Sequence, residues 1–140
     1  MHVLDTTAFS AFMRHDPAMM DFLRARSPGE VAVAPPVVAE IEYGIQRLAE
    51  GSRKRSLLEN EKETLLGAIR LLEWTPDASV RFGGIKASLE RAGTPVDDFD
   101  IAVAAIALSH GAGVVTANLA HFSRVEGLAC SSWTSGGGQP

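Results

Sequence analysis

The chain has 140 residues, 46% of them hydrophobic and 21% charged, with a formal net charge of −4. That length suits one domain and the apolar content builds a core, which excludes a disordered chain; the acidic balance argues against a general nucleic-acid coat and leaves room for a local basic patch. The single cysteine, Cys130, excludes an internal disulfide and a multi-cysteine zinc site and reads as a small buried residue.

MHVLD reads as a short strand that ends in an acid, Asp5. TTAFSAFMR and PAMMDFLRAR follow as short helices, the second with Pro17 in its first turn. After the break at Ser27-Pro28-Gly29, VAVAP is a β-prone run that Pro35-Pro36 terminates. Val37, Ile41, Ile45 and Leu48 recur at i, i+4, i+8 and i+11, which predicts a helix from Val37 to Glu50. GSRKRS marks a positively charged turn, and Leu57 to Leu72 a second amphipathic helix, so the two form a hairpin. LLEWTP is a short strand and Asp77 to Arg91 a helix. Beyond Gly93-Thr94-Pro95, Phe99 to His110 is a helix apolar nearly all round and hence buried. GVVTAN and LACSSW supply the last strands, and TSGGGQP a flexible tail. Strands alternating with helices predict an α/β domain over residues 1–133 with a mainly parallel sheet, followed by a tail at 134–140. No stretch is long and apolar enough for a membrane span, and no leader pattern opens the chain, so a cytoplasmic protein is expected.

In such a sheet, functional groups gather beyond the carboxyl ends of the strands. Asp5 ends the first strand, Thr116 and Asn118 end a later one, and Asp98 and Asp100 open the helix that leads into it. Asp97 and Asp100 also have the spacing of a capping box, a reading that accounts for one or two of these acids and leaves Asp5 unexplained. Glu40 and Glu42 lie on nearly opposite helix faces, so one of them reaches a shared site. Glu40, Gly44 and Arg47 form a stripe at i, i+4 and i+7, and Gly44 lets a backbone or substrate approach, which favours Glu40. Carboxylates brought together repel unless a cation neutralises them, and hard ions such as Mg²⁺ or Mn²⁺ prefer oxygen donors. The pattern therefore points to metal-dependent phosphoryl chemistry.

His2, His15, His110 and His121 have no zinc-site spacing and read as solvent-facing or structural. No GxSxG, P-loop or GxGxxG is present, and LDTTA lacks the second aspartate of a haloacid-dehalogenase-like site. Arg53-Lys54-Arg55 reads first as a solvated turn and second as an RNA-backbone contact.

LDTTAFSAF, VVAEIEYGIQR, DDFDIAVAAIALSHGAGVVTANLAHFSRVEGL and the closing Trp133 resemble, in order, the PIN-domain ribonucleases, above all the VapC-type toxins of bacterial toxin–antitoxin pairs. The resemblance spans nearly the whole chain. It implies a PIN-like three-layer α/β/α fold and a Mg²⁺-dependent endoribonuclease, with Mn²⁺ able to substitute. Asp5, Glu40 and Asp100 match the family's acids, Asp98 an additional acid frequent in this subfamily. Asp5 and Asp100 would hold the metal most directly. Glu40, with Asp98, would complete the pocket and orient or deprotonate the attacking water. Thr6, Thr116, Asn118 and Arg47 match ligand- and substrate-positioning residues. Thr7 stands where the family commonly has Asn, and Asn118 where many members have a fourth acid, for which Asp98 would compensate. The implied partners are a VapB-type antitoxin, a second copy of the chain, and an RNA substrate, with operator DNA reached only through the antitoxin. The alternative is a non-catalytic PIN-like module for protein binding or DNA-bound autoregulation, its acids serving as caps and surface charge.

Overall fold

Short apolar runs make the centre of the sheet. In the computed structural model, which describes residues 1–134, β1 (His2–Leu4) lies between β2 (Val31–Val33) and β4 (Gly113–Val115). β3 (Arg70–Leu71) and β5 (Cys130–Ser131) form the edges, giving the order β3-β2-β1-β4-β5 with every pairing parallel. Val31, Ala32 and Val33 are all buried, as a parallel strand covered on both faces requires. The α/β class expected from the alternation is the one observed, and the sheet is wholly parallel. The expected tail falls outside the described residues from Ser135 onward. Among the described residues, no helix is long and apolar enough to cross a membrane.

Among the described residues, seven α-helices connect these strands: α1 (Thr6–Met13), α2 (Pro17–Arg24), α3 (Pro35–Gln46), α4 (Arg53–Leu66), α5 (Pro76–Arg91), α6 (Asp98–Ser109) and α7 (Leu119–Phe122). α6 is buried without interruption from Ile101 to Ala107, its alanines allowing close packing in the core. Phe9 and Phe12 of α1 meet edge-to-face at 6.2 Å in that core. β4 and β5 approach so closely that a side chain at Gly113 would lie 2.9 Å from the Ala129 carbonyl oxygen.

Several boundaries differ from those read in the sequence. Pro35 and Pro36 do end the strand region, and they also open α3, where a missing N–H removes nothing the first turn would have bonded. α3 stops at Gln46 instead of Glu50. The charged Arg53-Lys54-Arg55 segment is helical, because Ser52 caps it by accepting the Arg55 N–H at 3.2 Å. α4 consequently starts four residues before Leu57 and ends at Leu66, freeing Arg70–Leu71 for β3. Leu57 is 56% exposed, so the apolar face of α4 is narrower than its leucines suggest. Cys130 is half-buried in β5, less enclosed than expected.

The parallel sheet sends every strand toward one edge. Asp5 follows β1, Ala34 follows β2 and Thr116 follows β4 on that edge, while α3 and α6 both start there.

Candidate active site

Asp5 is 2% exposed and caps α1, a local role that its place after a strand did not reveal. Its Oδ1 accepts from the Ala8 N–H at 2.9 Å and the Thr7 hydroxyl at 2.6 Å; its Oδ2 accepts from the Thr116 hydroxyl at 2.6 Å. The hydroxyls are themselves fixed. Thr7 Oγ1 accepts from the Ala117 N–H at 2.9 Å, and Thr116 Oγ1 from the Asn118 N–H at 2.7 Å. Burial pushes the Asp5 carboxyl above the usual carboxylate range, against the opposing pull of the bonds from Thr116, Thr7 and Ala8.

Asp100, two residues into α6, is half-buried and is also pushed up, first by desolvation and next by the negative charge of Asp5, with Asp97 and Glu40 adding. His121 of α7 offsets part of this, its Nδ1 lying 3.5 Å from Asp100 Oδ2. Glu40, in the second turn of α3, is turned toward α1, where its Oε1 accepts from the Thr6 hydroxyl at 2.5 Å. Three acids from β1, α3 and α6 thus share one electrostatic neighbourhood although 95 residue positions separate the first from the last.

Other expected site residues fall differently. Asp98 faces away from this group: its carboxylate pairs with Lys86 of α5 at 3.0 Å and is largely exposed. The first turn of α6 points Asp98 and Asp100 in different directions, which sets Asp98 beside α5. Asp97 caps α6 through the Phe99 N–H at 3.0 Å, and Asp100 faces the acids instead of closing a capping box. Asn118 precedes α7, is exposed, and caps nothing with its side chain. Arg47, at the end of α3, has its guanidinium carbon 5.9 Å from the Tyr43 ring centroid. Glu42 is paired with Lys62 and Gln46 on the other side of α3, as its spacing from Glu40 predicts. His121 and Lys86 were not anticipated as neighbours of the aspartates, because both contacts join separate elements. Thr7 was legible only as a departure from the family's common Asn; its hydroxyl in fact donates to Asp5 Oδ1.

Among the described residues, no three His, Cys, Asp or Glu side chains stand close enough to hold one ion. Glu40 is bonded to the Thr6 hydroxyl and Asp5 to those of Thr7 and Thr116. Mg²⁺ commonly takes one or two carboxylates and completes its shell with water. Asp5 and Asp100 suit such an ion in donor type and in charge, because each raises or suffers a repulsion that a cation would cancel.

Residues 2–128 match the PIN domain family. The chain belongs to that family. Relatives of this PIN domain include Ribonuclease VapC2 of Haemophilus influenzae, 29% identical over 94% of this chain and 97% of that protein. A second is the tRNA(fMet)-specific endonuclease VapC of Salmonella typhimurium, 32% identical over 67% of this chain and 68% of that protein. Among solved structures, DNA-bound VapBC from Salmonella typhimurium superposes with a TM-score of 0.84 at 25% identity, covering 94% of this chain and 97% of its counterpart.

Proposed function

We propose that this PIN-domain protein is the toxin of a type II toxin–antitoxin pair and a metal-dependent endoribonuclease that hydrolyses RNA phosphodiester bonds. The observation that carries the reading is the buried Asp5 carboxylate, fixed by Thr7, Ala8 and Thr116 where β1 ends, with Asp100 at the start of α6 close enough to feel its charge. Likeness to relatives named as VapC ribonucleases and endonucleases supports RNA as the substrate. Likeness to a DNA-bound VapBC complex supports a VapB-type antitoxin as partner, with operator DNA reached through it. A homodimeric toxin is part of the same proposal. Mg²⁺ is the ion proposed, with Mn²⁺ as substitute.

Asp5 and Asp100 hold the cation in this reading. When bound, the cation supplies positive charge against the scissile phosphate and makes a water more acidic. The Thr7 hydroxyl and the Ala8 N–H on Oδ1, with the Thr116 hydroxyl on Oδ2, keep Asp5 in one orientation and leave Oδ2 a lone pair. Thr6 does the same for Glu40, which leaves Oε2 as the atom to accept the proton of the attacking water. Water oxygen adds to phosphorus as its proton passes to Glu40, the phosphorus–oxygen ester bond breaks, and the departing oxygen takes a proton from solvent. Arg47 and Asn118, both exposed beside the acids' helices, contact the RNA backbone.

Induced expression in growing bacteria tests the toxin reading. Growth should stop, and RNA from those cells should carry new ends at a small set of positions. Arrested growth with unaltered RNA, or normal growth at high expression, would favour a binding module without catalysis.

A further inference from the structure

α1, α3 and α4 enclose an open cleft of about 480 Å³. Thr6 and Glu40 line it, so the cleft is continuous with the candidate active site. Its walls also carry the exposed cations Arg14, Arg47 and Lys54, and Ile41, Ile45 and Leu58 supply an apolar floor. Gly44, between Glu40 and Arg47 on α3, is the place where the wall has no side chain: a Cβ there would meet nothing within 4 Å.

The charge of this cleft runs against that of the molecule. The chain is net negative, yet the cleft sets three cations against one acid, Glu40. Neighbouring acids are already matched elsewhere: Glu42 with Lys62, Glu59 with Arg55 and Glu61 with His15. Among the described residues, none of Arg14, Arg47 and Lys54 joins an ion pair. The basic run at 53–55 divides accordingly. Arg55 is used inside the fold, donating to the carbonyl oxygen of Leu48 at 3.3 Å and to Gln46 Oε1 at 2.9 Å, which ties α4 to the end of α3. Lys54 is left facing the cleft. Tyr43, 68% exposed and next to Arg47, presents a ring face at the surface of α3 on which a base can stack.

We infer that this cleft is the track for a single RNA strand beside the scissile bond, with Arg14, Arg47 and Lys54 on consecutive phosphates. The inference rests on the ribonuclease reading and adds to it two binding residues, Arg14 and Lys54, and a reason for Gly44. A cleft of this size admits one strand with a base against an apolar floor and not a duplex. An acidic peptide would meet the same cations. Continuity with Thr6 and Glu40, where the reacting phosphate is placed, favours the RNA strand.

The test uses the whole chain and a fluorescein-labelled single-stranded RNA of mixed sequence, with binding read by anisotropy in EDTA so that no cleavage occurs. Variants are Arg14→Gln/Lys54→Gln and Gly44→Leu, with Arg91→Gln of α5 as a control outside the cleft. The double variant should bind about tenfold more weakly, and its salt dependence should flatten by about 1.4 in slope, ~0.7 for each lost phosphate contact on a single strand. Gly44→Leu fills the wall without meeting other atoms at its Cβ, and should weaken binding while the melting temperature stays level or rises, because leucine is the better helix former inside α3. Arg91→Gln should bind as the unsubstituted protein does. A labelled poly-glutamate peptide is titrated in parallel; equal RNA binding by all variants, or binding of the peptide with none of the RNA, would overturn the inference. Cleavage of total RNA by the unsubstituted protein with Mg²⁺ runs beside it. Cleavage with cleft variants indifferent would reject the track alone, whereas absent cleavage would reject the ribonuclease reading beneath it.

Discussion

The Thr116 hydroxyl donates to Asp5 Oδ2 at 2.6 Å, joining the end of β4 to the end of β1 in a place where Thr116 is fully buried and Asp5 nearly so. A carboxylate so placed depends on its donors. Thr116→Val keeps the shape and removes the hydroxyl, which also orphans the Asn118 N–H. The variant should lose about 1–3 kcal/mol in urea unfolding and raise the Asp5 carboxyl further, so that more metal is needed for activity at neutral pH. Unchanged stability would mean that the bond does not bear on Asp5 in solution.

Asp100 and Asp5 both have carboxyls raised above the ordinary value, so their ionised forms oppose folding. The stability they cost is absent while both are protonated, grows as pH rises through the unfolded value near 3.8, and is fully present above the folded values. At neutral pH in EDTA, Asp100→Asn should therefore melt about 3 °C higher than the unsubstituted protein. Mg²⁺ or Mn²⁺ should raise the melting temperature of the unsubstituted protein and leave the variant unmoved. A cation effect of equal size in both would remove Asp100 from the metal site.

Asp98 gives the sharpest contrast with Asp100, two residues away on the same turn. Its partner is Lys86, in solvent, and pairs of that kind add little. Asp98→Ala should leave the metal concentration for half-maximal RNA cleavage unchanged, while Asp100→Ala abolishes cleavage. A clear rise in the metal concentration that Asp98→Ala needs for half-maximal cleavage would restore Asp98 to the pocket.

His2 sets a separate pH dependence at the start of β1. Burial lowers its pKa first, then the Arg26 guanidinium and the amino terminus, with Glu30 pulling the other way. Its ring meets Phe22 edge-on at 5.7 Å, and Arg26 covers that same phenyl ring at 3.6 Å. The fold thus favours neutral His2. Its contribution is complete above the unfolded value near 6.5 and is lost as pH falls from there through the lower folded value. His2→Phe keeps an aromatic edge and removes the titration, so stability measured by urea unfolding should fall less between pH 7 and pH 5 than in the unsubstituted protein. Parallel curves would show that His2 does not titrate across unfolding.

The sequence made the sheet edge legible because chain order alone places Asp5, Thr116 and the start of α6 at carboxyl ends of parallel strands. It separated Glu40 from Glu42 because helix periodicity does so without tertiary information. Pairings between elements were beyond it. Lys86 and Asp98 lie on different helices, and nothing in either local pattern announces that α5 packs against α6 in that register. His121 reads as one more exposed histidine until α7 sets it against Asp100. The basic run at 53–55 was readable more closely than it was read: Ser52 three residues before Arg55 is a cap signal, and it turns an apparent turn into the first turn of α4. Asp5 shows the opposite difficulty, since one carboxylate both caps α1 and faces Asp100, and sequence reasoning sets those roles against each other.

The most direct measurement is cleavage of total cellular RNA by the purified protein, free of antitoxin, in Mg²⁺. EDTA-treated protein and an Asp5→Asn/Asp100→Asn variant of matched fold run beside it. Discrete fragments that disappear in both are the expected result and place the chemistry at the paired aspartates. Fragments that persist in the variant, or none from folded protein supplied with metal, would contradict it.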